Sequence, residues 1–242
     1  MISTLASLTF RGLLNRRRTL LLGLLSALIV VVAVVYRLGS PADGEGLDFT
    51  GRLLANFGVA VLLPLVAVII GTAALGSEID DGTIVYLLAK PIQRSVIVLV
   101  KLAVAWLVTA LLVTLPILLA GLIGSGGDPG LGIGYGAAAL FGALEYTAVF
   151  LALSLVTSRA LVIGLAYVVV WEGVVAGLFA GTRIVSIRQH VLAVADALTG
   201  EVAVTAELAL GTGLVVGGIV TIAAIALAVR RLSTVELRGE TG

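Results

Sequence analysis

Cysteine is missing from all 242 residues, which excludes a disulfide framework and any thiolate nucleophile or ligand. There is one histidine, His190. One is too few for a histidine-based metal or acid–base centre, and its place in a polar connection predicts a surface residue. Charged residues make up 12% of the chain, against about 25% in soluble domains, and the net charge is +1. No basic cluster exceeds Arg16–Arg18, so no nucleic-acid partner is expected. Aromatic residues are only 5%, which gives little support to a sugar-stacking lining. The phosphate-cradling pattern G-x-x-x-x-G-K-[ST] is also missing, since the two lysines, Lys90 and Lys101, do not follow a glycine. The chain is expected to bind no cofactor of its own; if ATP energises it, another polypeptide holds the nucleotide.

What is present is apolar surface. Hydrophobic residues make up 60% of the chain and the mean hydropathy is +1.21, values that belong in lipid. Six apolar runs follow one another, at 20–36, 53–75, 102–123, 131–156, 160–180 and 208–229. Crossing a hydrocarbon core takes about 20 residues of helix, and a backbone in lipid must satisfy its own hydrogen bonds. The fold class expected is therefore an all-α membrane protein with six transmembrane helices. The first run follows basic residues, as a signal peptide would. No small-residue cleavage pattern is clear after Tyr36-Arg37, so the run is kept as a span.

Lys and Arg set the orientation. With the N-terminus inside, eleven of the fifteen basic residues fall in inner segments and only Arg37, Arg52, Arg183 and Arg188 fall outside. Both termini are then cytoplasmic. Residues 2–18 mix Ile2, Leu5, Leu8 and Leu13 with basic positions and predict an interfacial helix on the inner leaflet. Gly39–Gly51 reads as a solvated outer loop, Gly124–Gly130 as a short outer connection, and Thr157–Arg159 as a tight inner turn. Gly181–Glu207 is a longer outer connection. Val191, Leu192, Val194, Ala195 and Leu198 fall near helical spacing there and predict an amphipathic or partly re-entrant helix.

The longest polar stretch between two spans is EIDDGTIVYLLAKPIQR, Glu78 to Arg94. Asp80, Asp81, Lys90 and Arg94 need water, whereas Ile84, Tyr86, Leu87 and Leu88 need an apolar neighbour. Gly82 can start a turn and Pro91 ends a helix near Lys90, which leaves Thr83–Lys90 room for about two helical turns. A short amphipathic helix at the inner membrane surface, shaped to be held by another protein, fits this pattern.

Two glutamates lie inside spans. Glu145 and Glu172 are each thirteen residues from the Ser158–Arg159 turn, or roughly 20 Å up the hairpin. Carboxylates at that depth should face the bundle, a partner or water, and no Lys or Arg is available there as counter-ion. They mark either a translocation path or dimer seam, or an interhelical hydrogen bond. Gly173, Gly177 and Gly181, and likewise Gly213 and Gly217, recur at four-residue spacing, as helices in close approach require. Pro64 and Pro116 sit within spans and can kink them.

The stretch Glu78–Lys101 resembles the first cytoplasmic loop of ABC-2 type permeases, the membrane subunits of bacterial ABC transporters. The resemblance rests on Glu78, then Asp81-Gly82-Thr83, the apolar pair Leu87-Leu88, Lys90-Pro91 and Arg94. WEGVVAGLFAGTRIVSIRQH, residues 171–190, is similar to the fifth span and outer loop of one branch of that family. The resemblance implies one permease domain over 1–242 in a bacterial cytoplasmic membrane. It also implies a coupling helix docked on an ATPase subunit that carries ATP and Mg, two ATPases with a second permease copy or paralogue, and most often export. The docking residues it points to are Glu78, Asp80, Asp81, Gly82, Thr83, Tyr86 and Leu87, with Lys90, Pro91 and Arg94 fixing the helix end at the membrane. The chain itself would not be an enzyme. Two other classes remain open: a proton-coupled transporter or channel using Glu145 and Glu172, and a membrane enzyme acting on lipids, for which the sequence supplies no convergent polar site.

Overall fold

The computed structural model describes residues 2–14, 17–39, 46–84, 92–126, 128–200 and 206–234. These residues are helical, and six of the helices are long and apolar enough to cross a membrane. The elements are α1 (Ile2–Leu14), α2 (Arg17–Gly39), α3 (Gly46–Ile79), α4 (Arg94–Gly124), α5 (Pro129–Val156), α6 (Ala160–Leu178), α7 (Ile187–Thr199) and α8 (Leu210–Thr234). The α3–α4 connection marks one end of the bundle, here the Gly82 end; the α4–α5 connection marks the other, the Asp128 end.

α3 and α5 form the centre, and α4, α7 and α8 pack around α5. Hydrophobicity does not drive helix association in lipid, so close packing of small residues has to. α5 carries Gly132, Gly136 and Gly142 for that purpose. The closest approach to backbone is Gly121 of α4 against Gly132, where an added Cβ on Gly121 would stand 2.4 Å from the Gly132 backbone. Backbone cannot rotate away as a side chain can. Gly121→Ala is therefore expected to destabilise the bundle by about 1–3 kcal/mol, the usual cost of overpacking. Thermal unfolding in detergent would check it, and a Tm within a degree of the native chain would refute it. The outer helices bury less. α2 buries a single stripe, Leu22, Ser26, Ile29 and Ala33, and turns Leu20, Leu24 and Leu28 outward.

Local chemistry sets the ends. Asp128 accepts a hydrogen bond from Gly130 N at 2.8 Å and Pro129 opens α5, a cap followed by the residue best preset for a first turn. At the Gly82 end, Asp81–Thr83 form a turn in which Gly82 has φ +69°, a left-handed conformation favourable to glycine. Gly200 closes α7 at φ +70°, its N–H donating to the Asp196 carbonyl at 2.9 Å. Pro64 and Pro116 each follow a π-helical segment, Leu54–Leu62 and Ala110–Thr114. The wider turn lies where each proline ring would press on the carbonyl four residues back, at Ala60 and Leu112.

Six spans are present, as expected; α6 ends two residues earlier than expected and α8 begins two later, while the first four run longer. One expectation is corrected. Gly39–Gly51 is not wholly a loop, because α3 begins at Gly46. Phe49 stacks on Tyr36 with ring centroids 3.9 Å apart, and Thr50 and Gly51 are buried against α4. These contacts override the turn-forming composition.

Candidate functional site

Two polar clusters stand out in this apolar bundle. The first is at the Gly82 end. Glu78, in the last turns of α3, turns its carboxylate onto Lys101 of α4 at 2.5 Å, and Lys101 also donates to the Ala74 carbonyl at 2.9 Å. Lys101 is 1% exposed and Glu78 31%. Lys101 lies two turns inside α4, and a lone ammonium there would be costly, so the pair is what permits it. α1 covers the pair, leaving a small cavity of about 60 Å³ bounded by Thr9, Gly12, Glu78 and Lys101. Beyond Glu78 the chain comes into the open: Asp81, Gly82 and Thr83 are exposed, and Ile84 is buried. Asp80 follows directly on α3 and is still helical, and Arg94 starts α4 half-buried. Tyr86, Leu87, Lys90 and Pro91, and with them the expected amphipathic helix, lie outside the described residues.

Beside this turn a cleft of about 430 Å³ opens between α3 and the α5–α6 turn, lined by Arg18, Thr72, Ser77, Asp81, Ser154 and Ser158. Thr72, Ser77 and Ser154 donate their hydroxyl protons to their own helices, to the carbonyls of Val68, Ala73 and Leu151. They can offer the cleft only oxygen lone pairs, which leaves Arg18 and Ser158 as side-chain donors in that lining.

The second cluster is deep in the bundle. Glu145 is sixteen residues from Pro129 and eleven from Val156, near the middle of α5. Its Oε1 lies 2.9 Å from His190 Nδ1, and His190 Nε2 lies 2.8 Å from the Ile184 carbonyl. Both side chains are 0% exposed. Glu172, 4% exposed, sits in a π-helical segment of α6, Tyr167–Val175. A π-helix bonds residues five apart, which brings Tyr167 over Glu172, and its hydroxyl donates to Oε1 at 2.9 Å. The same oxygen accepts from Ile187 N at 2.8 Å, and Oε2 accepts from the Ser186 hydroxyl at 2.5 Å. Ser186 is the N-cap of α7 and accepts from Gln189 N. Glu172 therefore places its carboxylate on the N-terminus of α7, where unpaired amides and the helix dipole favour an anion.

This geometry corrects one expectation. His190 is no surface residue; α7 folds back between α5 and α8 and carries it inward. The carboxylates also have a basic neighbour at their depth, although it is a histidine and not Lys or Arg. From mid-bundle, α7 runs along α5 towards the Asp128 end, with Val191 on Gly142 and Thr199 on Gly134. Burial alone pushes the His190 pKa down. The hydrogen bond and charge of Glu145, the Ile184 carbonyl and the charge of Glu172 outweigh it, and the net direction is up.

A family model described as ABC-2 family transporter protein matches residues 14–187. That span covers most of the chain. This protein belongs to the ABC-2 family of transporter permeases. It is a multi-pass membrane protein and the membrane component of an ABC transporter. Among curated proteins, none matches the chain. In this permease the matched region includes the Glu78–Arg94 connection, Glu145 and Glu172, and ends at the first residue of α7, short of His190.

The structure brings Glu145 and Glu172 together through α7 and keeps them well apart from the Glu78 cluster. Gly173, Gly177 and Gly181 do not pack: space over Gly177 and Gly181 is open, and Gly173 meets only its own helix. The other glycine pair does. A Cβ on Gly213 would stand 3.0 Å from Ala193, and one on Gly217 2.9 Å from Glu145 Oε2. Residues missed at the sequence level are His190, Ser186, Tyr167 and Lys101. A signal for His190 existed, because Ile187, His190, Val191 and Val194 share one helical face.

Proposed function

We propose that this permease is the membrane half of an ATP-driven exporter, energised by a separate cytoplasmic ATPase that engages the Glu78–Arg94 connection. Two ATPases and a second permease copy or paralogue complete the working unit, and ATP and Mg belong to the ATPase. The observation that carries this reading is the family match combined with the Asp81–Thr83 turn, which leaves the buried α3–α4 junction and stands in the open. An amphipathic helix held in a partner's groove is a common mode of protein recognition. The eleven-to-four excess of basic residues supports a cytoplasmic location for this end in a bacterial plasma membrane. The Lys101–Glu78 pair would tie the connection to α4, so that a push on the turn moves α3 and α4 as one body. Glu78 then acts by holding the junction rather than by touching the ATPase, while Asp80, Asp81, Thr83, Tyr86 and Leu87 face the partner and Lys90, Pro91 and Arg94 fix the end at the membrane. The open glycines Gly173, Gly177 and Gly181 suit the seam with a second permease.

The test is purification from the native membrane in mild detergent, with ATPase activity measured. Native permease is expected to retain a soluble ATPase, and Asp81→Ala with Tyr86→Ala to lose it, cutting co-purified activity about tenfold while unfolding as the native chain does. That loss corresponds to about 1.4 kcal/mol of binding. A permease that purifies alone, or variants that retain the ATPase, would overturn the proposal.

A further inference from the structure

The hydrogen-bond arithmetic at His190 leads to a site for a proton. The Ile184 carbonyl can only accept, so His190 Nε2 must carry a hydrogen. Nδ1 then faces Glu145 Oε1 at 2.9 Å in one of two workable states. Either a protonated Glu145 donates to a bare Nδ1, or an imidazolium donates from Nδ1 to a carboxylate. Both states hold one shared proton and are neutral overall. Without that proton the imidazole has one N–H for two acceptors: kept on Nε2 it turns an Nδ1 lone pair on the carboxylate, and moved to Nδ1 it turns an Nε2 lone pair on the Ile184 carbonyl, with a carboxylate charge buried in a site closed to water in either case. Both contacts of His190 therefore hold together only while the proton is bound.

The surroundings provide no substitute. Glu145 Oε2 is buried and has no hydrogen-bond partner among the described residues. α8 faces the pair with Gly213 and Gly217, whose missing side chains leave space for neither a cation nor a hydroxyl. α5 adds Tyr146, and α6 adds Glu172 and Tyr167. The π-helical part of α3 adds no titratable group, and Arg183 in the preceding turn is paired with Glu207 at 2.8 Å. On α7 itself, Arg188 and Asp196 lie off the His190 face. Among the described residues, His190 and Glu145 alone can exchange the proton at this contact, and Glu172, a further charge facing it, is itself held by three donors.

We infer that the Glu145–His190 contact is a proton-binding site that clasps α7 to α5, and that loss of its proton releases α7 from the Asp128 half of the bundle. The raised pKa of His190 agrees in sign. An ordinary histidine sheds its proton near pH 6.5. The folded pair keeps its proton to higher pH, so the clasp is intact below 6.5 and fails as pH rises through the folded value. α7 is the element at stake because its other anchor, Glu172 on the helix N-terminus, holds only its first turn. The inference does not depend on an ATPase partner.

His190 is the sole histidine, so the whole chain can be studied with nitrogen-15 histidine in lipid nanodiscs. The expected spectrum shows one imidazole with Nε2 protonated throughout and Nδ1 changing state above pH 6.5. Over the same interval, amide-exchange protection of 187–199, corrected for intrinsic rate, is expected to fall about tenfold, the change one unbound proton produces per pH unit. Glu145→Gln supplies an amide N–H to Nδ1 in place of the shared proton, and its α7 protection is expected to stay level from pH 6.5 to 9. A histidine titrating near 6.5 would overturn the inference. So would unchanged α7 protection in the native chain, or an equal fall in Glu145→Gln. Should that variant not fold, coincidence of the imidazole titration with α7 release in the native chain decides alone.

Discussion

Glu78→Ala is expected to destabilise the permease by about 3 kcal/mol or more, the usual effect of stripping one partner from a buried ion pair. The cost comes from what is left behind. Lys101 is 1% exposed and would retain only the Ala74 carbonyl as a partner, with α1 closing over it. The attraction between the two charges is largely offset by their desolvation, so removing both should cost far less than removing one. Glu78→Leu combined with Lys101→Met is expected to recover most of the lost stability. A double-mutant cycle on thermal unfolding in detergent measures the difference, and additive effects would show that the pair is not coupled. The same double variant probes the proposed role of the junction. If the pair only stabilises, ATPase activity in the assembled transporter is unchanged; if it transmits movement from the turn to α4, the variant folds yet loses stimulation.

Much of this architecture could be read from the sequence because continuous apolar runs in lipid have few alternatives to helices. Positions 102–123 and 131–156 read as spans from hydropathy alone, and both are found within α4 and α5. The unread parts share a cause: they depend on contacts between distant segments. Lys101 looked like a basic residue at a membrane surface, and only the approach of α3, with Glu78 and Ala74, makes a deeper position affordable. Gly46–Gly51 looked like loop until Phe49 found Tyr36. His190 looked like a surface residue because polarity was read along the chain, whereas its burial is a property of a helical face. Even so, the thirteen-residue spacing of Glu145 and Glu172 from one turn points them to a common level, and both meet α7, Glu145 at His190 and Glu172 at the helix N-terminus.

Glu172 should matter more to the bundle than its single charge suggests. It accepts from Tyr167, Ser186 and Ile187 N, and so joins α6, the connection after it and the first turn of α7. Glu172→Leu leaves two buried donors, Ser186 and Ile187 N, and the half-buried Tyr167 hydroxyl without their acceptor. With about 1–3 kcal/mol for each buried group left unsatisfied, the total is several kcal/mol, a large share of a typical stability. Loss is expected first at α7, seen as faster amide exchange at 187–191 and a lowered Tm. Glu172→Gln should cost much less, because its carbonyl oxygen can still take Tyr167 and Ile187 N while its amide must turn towards Ser186. The ordering of native, glutamine and leucine separates an acceptor role from a requirement for charge. If glutamine proves as damaging as leucine, the negative charge at the α7 N-terminus is the essential feature. If leucine proves harmless, the three donors find other partners and α7 does not depend on this anchor. The comparison also bears on the proton site, for Glu172 holds the start of α7 while Glu145 and His190 hold it one turn further on. With the first anchor weakened, release at alkaline pH should extend back to Ile187, and with it intact the first turn should stay protected after the rest has gone.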